Sequence, residues 1–442
     1  MNIKQLINST TSLSISSLLE KSIGLVLIPL LTNYLSVESY GELVLAYTYI
    51  GFLSLIYYSG LQSSLFRWLS MWNDNLDSFV YEKIVFKLII FQSFIVYLFS
   101  IIILYILKYY SIILIDSNLF TLVFFSNVLL VPFSIRSTSW IINNSTFKNV
   151  IFSFFKAILI VFLVYIFIEN YPNNRLRPII EIVVLFIVSF FILKKYLWPI
   201  KLKLDFNLYK DYINILKESY KYGWGVQISQ LGMIVIASSD KLMLGSILGN
   251  EAVAIYSIGM IGMLFLVVIN AFNSSYSVKF FKMYQDKVSF NIINKEIIKI
   301  IVISFALALI FKIITFYFKS DIINIVSNNN YSESVDILIF TADILFMYLL
   351  YYLFSRIFHA KNIIKDLIKL TLFSSVLNIF LNLYLIPIYG VFGALVSSVI
   401  SFTCLSMLAF YFHIKHTNMS NLYSIGILTI ILIFLSSNLF FL

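Results

Sequence analysis

The chain has 442 residues, of which 60% are apolar and only 12% are charged, and its formal net charge is +10. This composition excludes an ordinary soluble domain. The positive charge follows from the loop pattern described below, so no nucleic-acid partner is expected. Because Cys404 is the only cysteine, the sequence also excludes a disulfide framework and a cysteine-based metal site.

Apolar segments of about 20 residues, the length of a spanning helix, follow one another along the whole chain. We predict thirteen of them, at 12–35, 40–64, 84–107, 112–134, 146–168, 178–198, 223–247, 252–277, 296–318, 335–357, 364–386, 391–413 and 422–442. The longest inner connection is basic and amphipathic and separates the first six segments from the next six. The predicted organisation is therefore 1–198 for the first six segments, 199–222 for a cytoplasmic linker, 223–413 for the second six, and 414–442 for an extra hydrophobic segment.

Basic residues concentrate in every second connection between these segments. Of the 31 Lys and Arg residues, 24 fall on the side that carries Lys4, and five fall on the opposite side, among them Arg175 and Arg177. Since cytoplasmic loops of membrane proteins retain Lys and Arg, we expect a multi-pass protein of the bacterial inner membrane with a cytoplasmic N-terminus.

Two spacings are consistent with an internal repeat. Arg67 lies 29 residues after Glu38, and Lys279 lies 28 residues after Glu251, so each half ends its second segment with a basic residue at the inner side. Such a parallel repeat has its axis along the membrane normal. Matches of this size also arise by chance in apolar sequence, so the spacing leaves both explanations open.

Four ionisable residues inside apolar segments are the candidate pore charges: Glu20 and Lys21 in segment 1, and Asp240 and Lys241 in segment 7. A charge near the bilayer centre costs about 2.5–3.5 kcal/mol on insertion scales, so such groups usually face a cavity or a partner. Three interpretations remain: a static salt bridge, contact with substrate or a coupling ion, or snorkelling to the interface. Pro29 in segment 1 is predicted to kink its helix.

Three sequence stretches carry a family resemblance. Residues 40–67 begin with Tyr-Gly and end in a Gly-Leu-x-x-Ser-x-x-x-Arg-like pattern; residues 240–257 place Asp-Lys before a Gly-x-x-x-Gly turn; and residues 381–401 combine Pro, Tyr-Gly and Gly-Ala. Together they resemble the polysaccharide-export branch of the multidrug/oligosaccharidyl-lipid/polysaccharide (MOP) exporter superfamily, in particular the Wzx-type O-antigen flippases. The resemblance covers nearly the whole chain.

This resemblance implies an all-α, MATE-like membrane fold with a 12-helix core of two six-helix lobes, plus the extra C-terminal segment. Segments 1, 2, 7 and 8 would line a central cavity. The implied activity is alternating access that moves an undecaprenyl-pyrophosphate-linked oligosaccharide, the repeat unit of lipopolysaccharide O-antigen, from the cytoplasmic to the periplasmic leaflet. Coupling to H⁺ or Na⁺, and contact with a polysaccharide polymerase and a chain-length regulator, are further expectations.

A pyrophosphate carries several negative charges. Arg binds such groups through two parallel hydrogen bonds, and Lys binds them as a point charge. Four basic residues at inner segment ends are candidates for this contact: Arg67, Arg136, Lys279 and Arg356. Arg67 and Lys279 are favoured because they occupy matching places in the two halves. The alternative is that all four only follow the positive-inside rule.

Other functions are less compatible with the sequence. No Gly-x-x-x-x-Gly-Lys loop is present, so ATP hydrolysis is not expected. An O-antigen polymerase or glycosyltransferase typically has a long outer loop, which this chain lacks. We therefore expect no enzyme, catalytic residue, cofactor or metal site. A MATE-type multidrug antiporter and an exporter of capsule or teichoic-acid precursors remain as alternatives.

Overall fold

The structure, a computed structural model, describes residues 24–70, 78–109, 115–142, 145–197, 206–361 and 363–438. Throughout these ranges the regular elements are helices. They are α1 (Gly24–Tyr34), α2 (Val37–Tyr58), α3 (Leu61–Ser70), α4 (Ser78–Tyr109), α5 (Ser117–Leu129), α6 (Val131–Ile142), α7 (Thr146–Ile168), α8 (Leu176–Leu197), α9 (Phe206–Ile247), α10 (Asn250–Gly259), α11 (Leu266–Gln285), α12 (Phe290–Val326), α13 (Ile337–Ala360), α14 (Ile364–Thr417) and α15 (Asn421–Ser436), with 3₁₀ turns at Met260–Phe265 and Asn329–Ser334.

Each of the thirteen predicted segments contains a helix. Eight helical stretches of the described residues are long and apolar enough to cross a membrane, so the chain is a multi-pass membrane protein. One predicted boundary differs: α9 begins at Phe206, so most of the predicted linker 199–222 is helix continuous with segment 7. Its residues 199–205 lie outside the described part of the chain.

Segment 2 is divided into α2 and α3 by two residues in the left-handed region. Ser59 has a φ of 46° and Gly60 a φ of 72°, which an L side chain rarely adopts. Gly60 packs directly on the backbone of Gly223 in α9, and a Cβ built on Gly60 would overlap the Gly223 carbonyl group. The break is therefore a site of close helix packing, for which small residues are required.

Helix α14 is a hairpin of two long arms. Gly390, with φ 58° and ψ −134°, is its non-helical residue, and it lies between predicted segments 11 and 12 as expected. Each arm is about 39 Å long, enough to cross the hydrocarbon core. Asn382 and Ser398, eight residues before and after Gly390, both contact Asp240, because the arms run back alongside each other.

The chain forms two compact units, Met1–Leu231 and Gly232–Leu442. In the first unit, α5 packs against α2 and α8, and α7 packs against α8. In the second, α13 is the central helix: it packs against α11, α12 and α14, and most of its residues are buried. The predicted division at 1–198, 199–222, 223–413 and 414–442 stays a prediction.

The extra C-terminal segment forms α15, which packs within the second unit. The Phe434 ring is fully buried and contacts the rings of Phe305 and Phe346. Ser437, directly after the helix, accepts a hydrogen bond from the Lys312 ammonium at 3.1 Å. The segment is therefore part of the core of this unit.

Candidate functional site

The four basic residues predicted to contact a pyrophosphate have different surroundings. Arg67 lies in α3, and its side chain is outside the described atoms. Arg136 donates from Nη1 to Glu82 Oε2 at 3.0 Å, and the Glu82 carboxylate also accepts from the Tyr196 hydroxyl at 2.9 Å. Lys279 forms an ion pair with Glu296 at 2.5 Å, and both side chains reach solvent. Arg136 and Lys279 thus already have carboxylate partners.

Arg356 differs from the others because its neighbours are tyrosines. Its guanidinium lies 5.2 Å from the centre of the Tyr352 ring, and Tyr276, Tyr348 and Tyr351 are within electrostatic reach. Among the described residues, no carboxylate lies within ion-pair distance of Arg356, and its buried Nε has no hydrogen-bond partner. Of the described candidates, it is the cation best able to take an anionic ligand.

Two of the tyrosines around Arg356 are joined through their hydroxyl groups. The Tyr348 hydroxyl contacts the Tyr352 hydroxyl at 3.0 Å and Asn270 Oδ1 at 3.3 Å, so α11 and α13 are joined at this point. Arg binds phosphate oxygens as a fork, and aromatic faces with hydroxyl groups pack against sugar rings. We call Asn270, Tyr276, Tyr348, Tyr352 and Arg356 the Arg356 cluster.

Asp240 lies in a second polar site of the same unit, and its carboxylate is buried. Its Oδ2 accepts hydrogen bonds from the Tyr256 and Ser398 hydroxyls, each at 2.5 Å. Its Oδ1 accepts from Asn382 Nδ2 at 3.0 Å. A buried carboxylate requires hydrogen-bond donors in place of water, and these three donors supply them.

The Asn382 amide occupies a position where oxygen atoms converge. Its Nδ2 lies 3.0 Å from Asp240 Oδ1 and 3.2 Å from Asn378 Oδ1, whereas its own Oδ1 is buried without a hydrogen-bond partner. Rotation of this amide would bring a third oxygen to the same place. Hard monovalent and divalent cations take ligands of this type, namely one carboxylate with neutral oxygens. We call Asp240, Tyr256, Asn378, Asn382 and Ser398 the Asp240 cluster.

The other predicted membrane charges are less defined. Lys241 follows Asp240 on α9 and is partly exposed; no hydrogen bond or ion pair joins it to the described residues. Glu20 and Lys21 lie outside the described residues. Pro29 lies inside α1 with helical residues on both sides, so the kink at this position stays a prediction.

Two charge clusters were missed by the sequence analysis. In the second unit, Lys312 and Asp343 form a fully buried ion pair at 3.0 Å. In the first unit, Arg177 pairs with Glu181 at 2.9 Å, and the Tyr47 hydroxyl donates to the same carboxylate. The signal was available, because Asp343 lies inside a predicted apolar segment just as Asp240 does.

No group of three or more His, Cys, Asp or Glu side chains is positioned to hold a metal ion in the described ranges. Any cation at the Asp240 cluster would therefore be bound mainly by neutral oxygens. Such a set matches a monovalent ion better than a transition metal, which prefers imidazole and thiolate ligands.

Comparisons with solved structures define the fold. The fold is similar to an inward-facing multidrug resistance MATE transporter of the MOP superfamily, at 15% identity over 92% of this chain and 94% of that one, with a TM-score of 0.64. A MOP transporter from Pyrococcus furiosus, described by a binding pocket of reversed polarity, matches at 14% identity over 94% and 96%, with a TM-score of 0.63. A point mutant of the Vibrio cholerae MATE transporter VcmN matches at 14% over 95% and 98%, with a TM-score of 0.58. The protein has the fold of a membrane transporter.

The sequence family is more specific than the fold. A profile described as "Polysaccharide biosynthesis protein" matches residues 6–277, which is more than half of the chain. The chain therefore belongs to this family of polysaccharide biosynthesis proteins. Among curated protein sequences, none matches it. The family is thus one of polysaccharide biosynthesis, and the fold is the one seen in MATE transporters.

Proposed function

We propose that the protein is a flippase that carries an undecaprenyl-pyrophosphate-linked oligosaccharide, such as an O-antigen repeat unit, from the cytoplasmic to the periplasmic leaflet of the inner membrane. The observation that supports this function best is Arg356, a cation among tyrosines with no carboxylate partner in the described residues, in a transporter of a polysaccharide biosynthesis family. The guanidinium would take the pyrophosphate and the tyrosines the sugar. The N-terminus would be cytoplasmic, as the basic residues indicate.

The surroundings of the buried acids favour this function over a multidrug cation antiporter. A cationic drug requires a carboxylate that is available in the membrane. The buried carboxylates of the described helices are instead held by partners: Glu82 by Arg136, Asp343 by Lys312, and Asp240 by three donors. Capsule and teichoic-acid precursors share the lipid-linked phosphate chemistry, so they remain alternative cargoes.

The Asp240 cluster is the proposed site for the coupling ion. Na⁺ would bind between the Asp240 and Asn378 oxygens after rotation of the Asn382 amide, and H⁺ would bind the Asp240 carboxylate itself. Ionisable groups in membrane segments are costly to bury, and those that are present usually have a function. Delivery to the outer leaflet also requires later steps there, so a polymerase and a chain-length regulator are the proposed partners.

The first experiment is to delete the gene and to measure surface polysaccharide together with lipid-linked repeat units in the cell. A flippase predicts loss of surface polymer with single repeat units accumulating on the cytoplasmic side. Normal surface polymer would reject the proposal, and single units reaching the outer surface would indicate a polymerase instead.

Complementation of the deletion strain then tests Arg356. Arg356→Ala is expected to lower surface polymer about tenfold or more with unchanged protein in the membrane, because a charge-assisted contact of roughly 1.5–3 kcal/mol is lost. Arg356→Lys should restore part of the activity. Lys365→Ala removes an exposed basic residue from a neighbouring position and is the matched control. Full activity of Arg356→Ala would contradict the assignment.

The coupling site is tested by thermal unfolding of the purified protein in NaCl and in choline chloride at equal ionic strength. Na⁺ should raise the wild-type midpoint, because at about ten times the Kd a bound ion stabilises by roughly 1.4 kcal/mol. Asp240→Asn should remove this Na⁺ effect, whereas Asp286→Asn in an exposed turn should retain it. If proton coupling operates instead, Asp240→Asn abolishes the pH dependence of transport and neither protein responds to Na⁺.

A further inference from the structure

An apolar groove runs along the second unit between helices α11 and α12, and helix α13 lies beneath it. Helices α11 and α12 each pack on α13, which is the floor. The groove has a volume of about 570 Å³ and is lined almost wholly by carbon, with Ser304 as the single hydroxyl among its lining residues. Wall residues such as Val268 and Leu307 are more than half exposed, so the groove is open to the surroundings of the helix bundle.

Small side chains produce this groove, and large ones border it. Ala308 on α12 and Ala342 on α13 leave space beside the rings of Phe265, Phe272 and Phe311. The α12 wall extends from Ile300 to Phe311, about 16 Å at the rise of a helix. This length matches one leaflet of the hydrocarbon core, about 15 Å.

One end of the groove is charged. On α11 the lining residues Val268 and Phe272 are followed at helical spacing by Tyr276 and Lys279, and the Phe272 and Tyr276 rings stack at 6.0 Å. On α12 the lining residue Ile300 is preceded by Glu296, four residues earlier. The Lys279–Glu296 ion pair therefore connects the two walls at this end.

The floor helix brings a second cation to the same end. Arg356 lies seven residues, or two turns, beyond the lining residue Leu349, so it is on the groove side of α13. Tyr276 is within electrostatic reach of both Glu296 and Arg356, which places the two walls and the floor together. The distribution of basic residues assigns this end to the cytoplasmic side.

We propose that this groove is the binding site for the polyprenyl chain of the lipid-linked substrate, with its phosphate group at the Lys279 and Arg356 end. The inference rests on the proposed function and adds where the lipid portion binds. This end of the groove carries Arg356, which has no carboxylate partner among the described residues, so the groove is complementary to an anionic amphiphile lying parallel to the helices. The chain would occupy the cytoplasmic leaflet, where the phosphate would meet the Arg356 cluster.

The shape favours a polyprenyl lipid over an ordinary phospholipid. A single groove between two helices accommodates one chain, whereas a phospholipid has two chains on one headgroup. The aromatic walls also suit a branched, unsaturated chain, because ring faces pack against its methyl groups and double bonds. A free phosphate or a soluble anion would gain nothing from the apolar part of the site.

The test is photo-crosslinking of purified protein in phosphatidylcholine nanodiscs. One probe is a polyprenyl monophosphate with a diazirine in its chain, and the comparison probe is a phosphatidylglycerol with a diazirine in one acyl chain. We expect the polyprenyl probe to label the groove helices between 265–272 and 300–311, and unlabelled polyprenyl phosphate to compete. The phosphatidylglycerol probe should label lipid-facing residues without this preference.

The chain offers a matched pair of variants for this test. Ala308→Phe fills the groove, whereas Ala306→Phe makes the same change at an exposed position of α12 outside it. Ala308→Phe should reduce groove labelling about tenfold, since excluding about two methylene groups from an apolar site has this effect. Equal labelling of both variants, or equal labelling of the groove by the two probes, would overturn the proposal.

Complementation separates failure of this inference from failure of the proposed function. If the deletion strain lacks surface polymer and Ala308→Phe restores it as fully as the wild type, the groove proposal fails and the flippase proposal stands. If the deletion strain makes normal polymer, the flippase proposal fails whatever the probes label. Equal amounts of both variants in the membrane, with equal elution profiles, exclude misfolding as the cause of a loss.

Discussion

The partner of each basic residue decides what that residue can do. Arg136, Lys279 and Arg356 occupy similar inner helix ends in the sequence, but only Arg356 lacks a carboxylate among the described residues. An arginine whose charge is already compensated contributes to the core, and its removal leaves a buried acid uncompensated. Arg136 and Arg356 should therefore fail in different ways when replaced.

We expect Arg136→Ala to destabilise the protein rather than to block transport specifically. Glu82 is 2% exposed, and without Arg136 the Tyr196 hydroxyl would be the one partner among the described residues that holds its charge. The expected cost is about 2–3 kcal/mol, at the low end for a buried pair because Arg136 is 26% exposed. Thermal unfolding of the purified protein and its amount in the membrane measure this effect.

A second substitution, Glu82→Gln, distinguishes a structural role of Arg136 from contact with the substrate. Adding Glu82→Gln to Arg136→Ala removes the uncompensated charge and should restore most of the stability and the surface polymer. If Arg136 contacts the pyrophosphate instead, stability recovers in the double variant while surface polymer stays low.

Sequence reasoning identified Asp240 but not its neighbours. A carboxylate inside an apolar segment is visible from the sequence, because its insertion cost is high wherever it falls. Its donors Tyr256, Asn382 and Ser398 lie 16, 142 and 158 residues away, and nothing local connects them.

The preference for Arg67 and Lys279 rested on spacing alone, which carries no information about the Glu296 partner of Lys279.

At the scale of elements, the helices were predictable and their interruptions were not. Twenty apolar residues need a spanning helix because hydrocarbon offers the backbone no other hydrogen-bond partner. The breaks at Ser59–Gly60 and at Met260–Phe265 lie inside such apolar runs, so composition does not reveal them. Their cause is packing between helices distant in the sequence, as the contact of Gly60 with Gly223 illustrates.

Two glycines of α9, Gly223 and Gly225, allow this packing to be tested with a matched pair of substitutions. A Cβ on Gly223 would lie 2.5 Å from the Gly60 carbonyl oxygen, whereas a Cβ on Gly225 would meet nothing within 4 Å. Gly223→Ala should therefore lower the free energy of unfolding by about 3 kcal/mol or more, since backbone cannot yield as a side chain does. Gly225→Ala should raise it by about 0.5–1 kcal/mol through helix propensity.

Chemical or thermal unfolding of the two purified variants against wild type measures the difference. A Gly223→Ala protein as stable as Gly225→Ala would mean that α9 and the α2–α3 break are not in close contact.

At the scale of the whole molecule, the fold followed from the sequence and the cargo did not. Apolar length and the alternation of basic loops predict a multi-pass helical membrane protein, and the family resemblance adds a MATE-like arrangement of the helices. The similarity to the MATE structures confirms that architecture. The proposed cargo rests on a few side chains around Arg356, which come from both α11 and α13. Residues so far apart in the chain meet only through tertiary packing.

The orientation of the protein in the membrane is the remaining prediction, and both proposals depend on it. The connection at Tyr171 is assigned to the periplasm and the turn at Asp286 to the cytoplasm, because the second lies in a run of basic residues. Both positions are exposed, so Tyr171→Cys and Asp286→Cys can be labelled in a Cys404→Ser background. A membrane-impermeant maleimide applied to spheroplasts should label the Tyr171→Cys protein at once and the Asp286→Cys protein only after permeabilisation. The reverse pattern would put the Arg356 end of the groove in the outer leaflet, where a lipid-linked precursor made inside could not enter it.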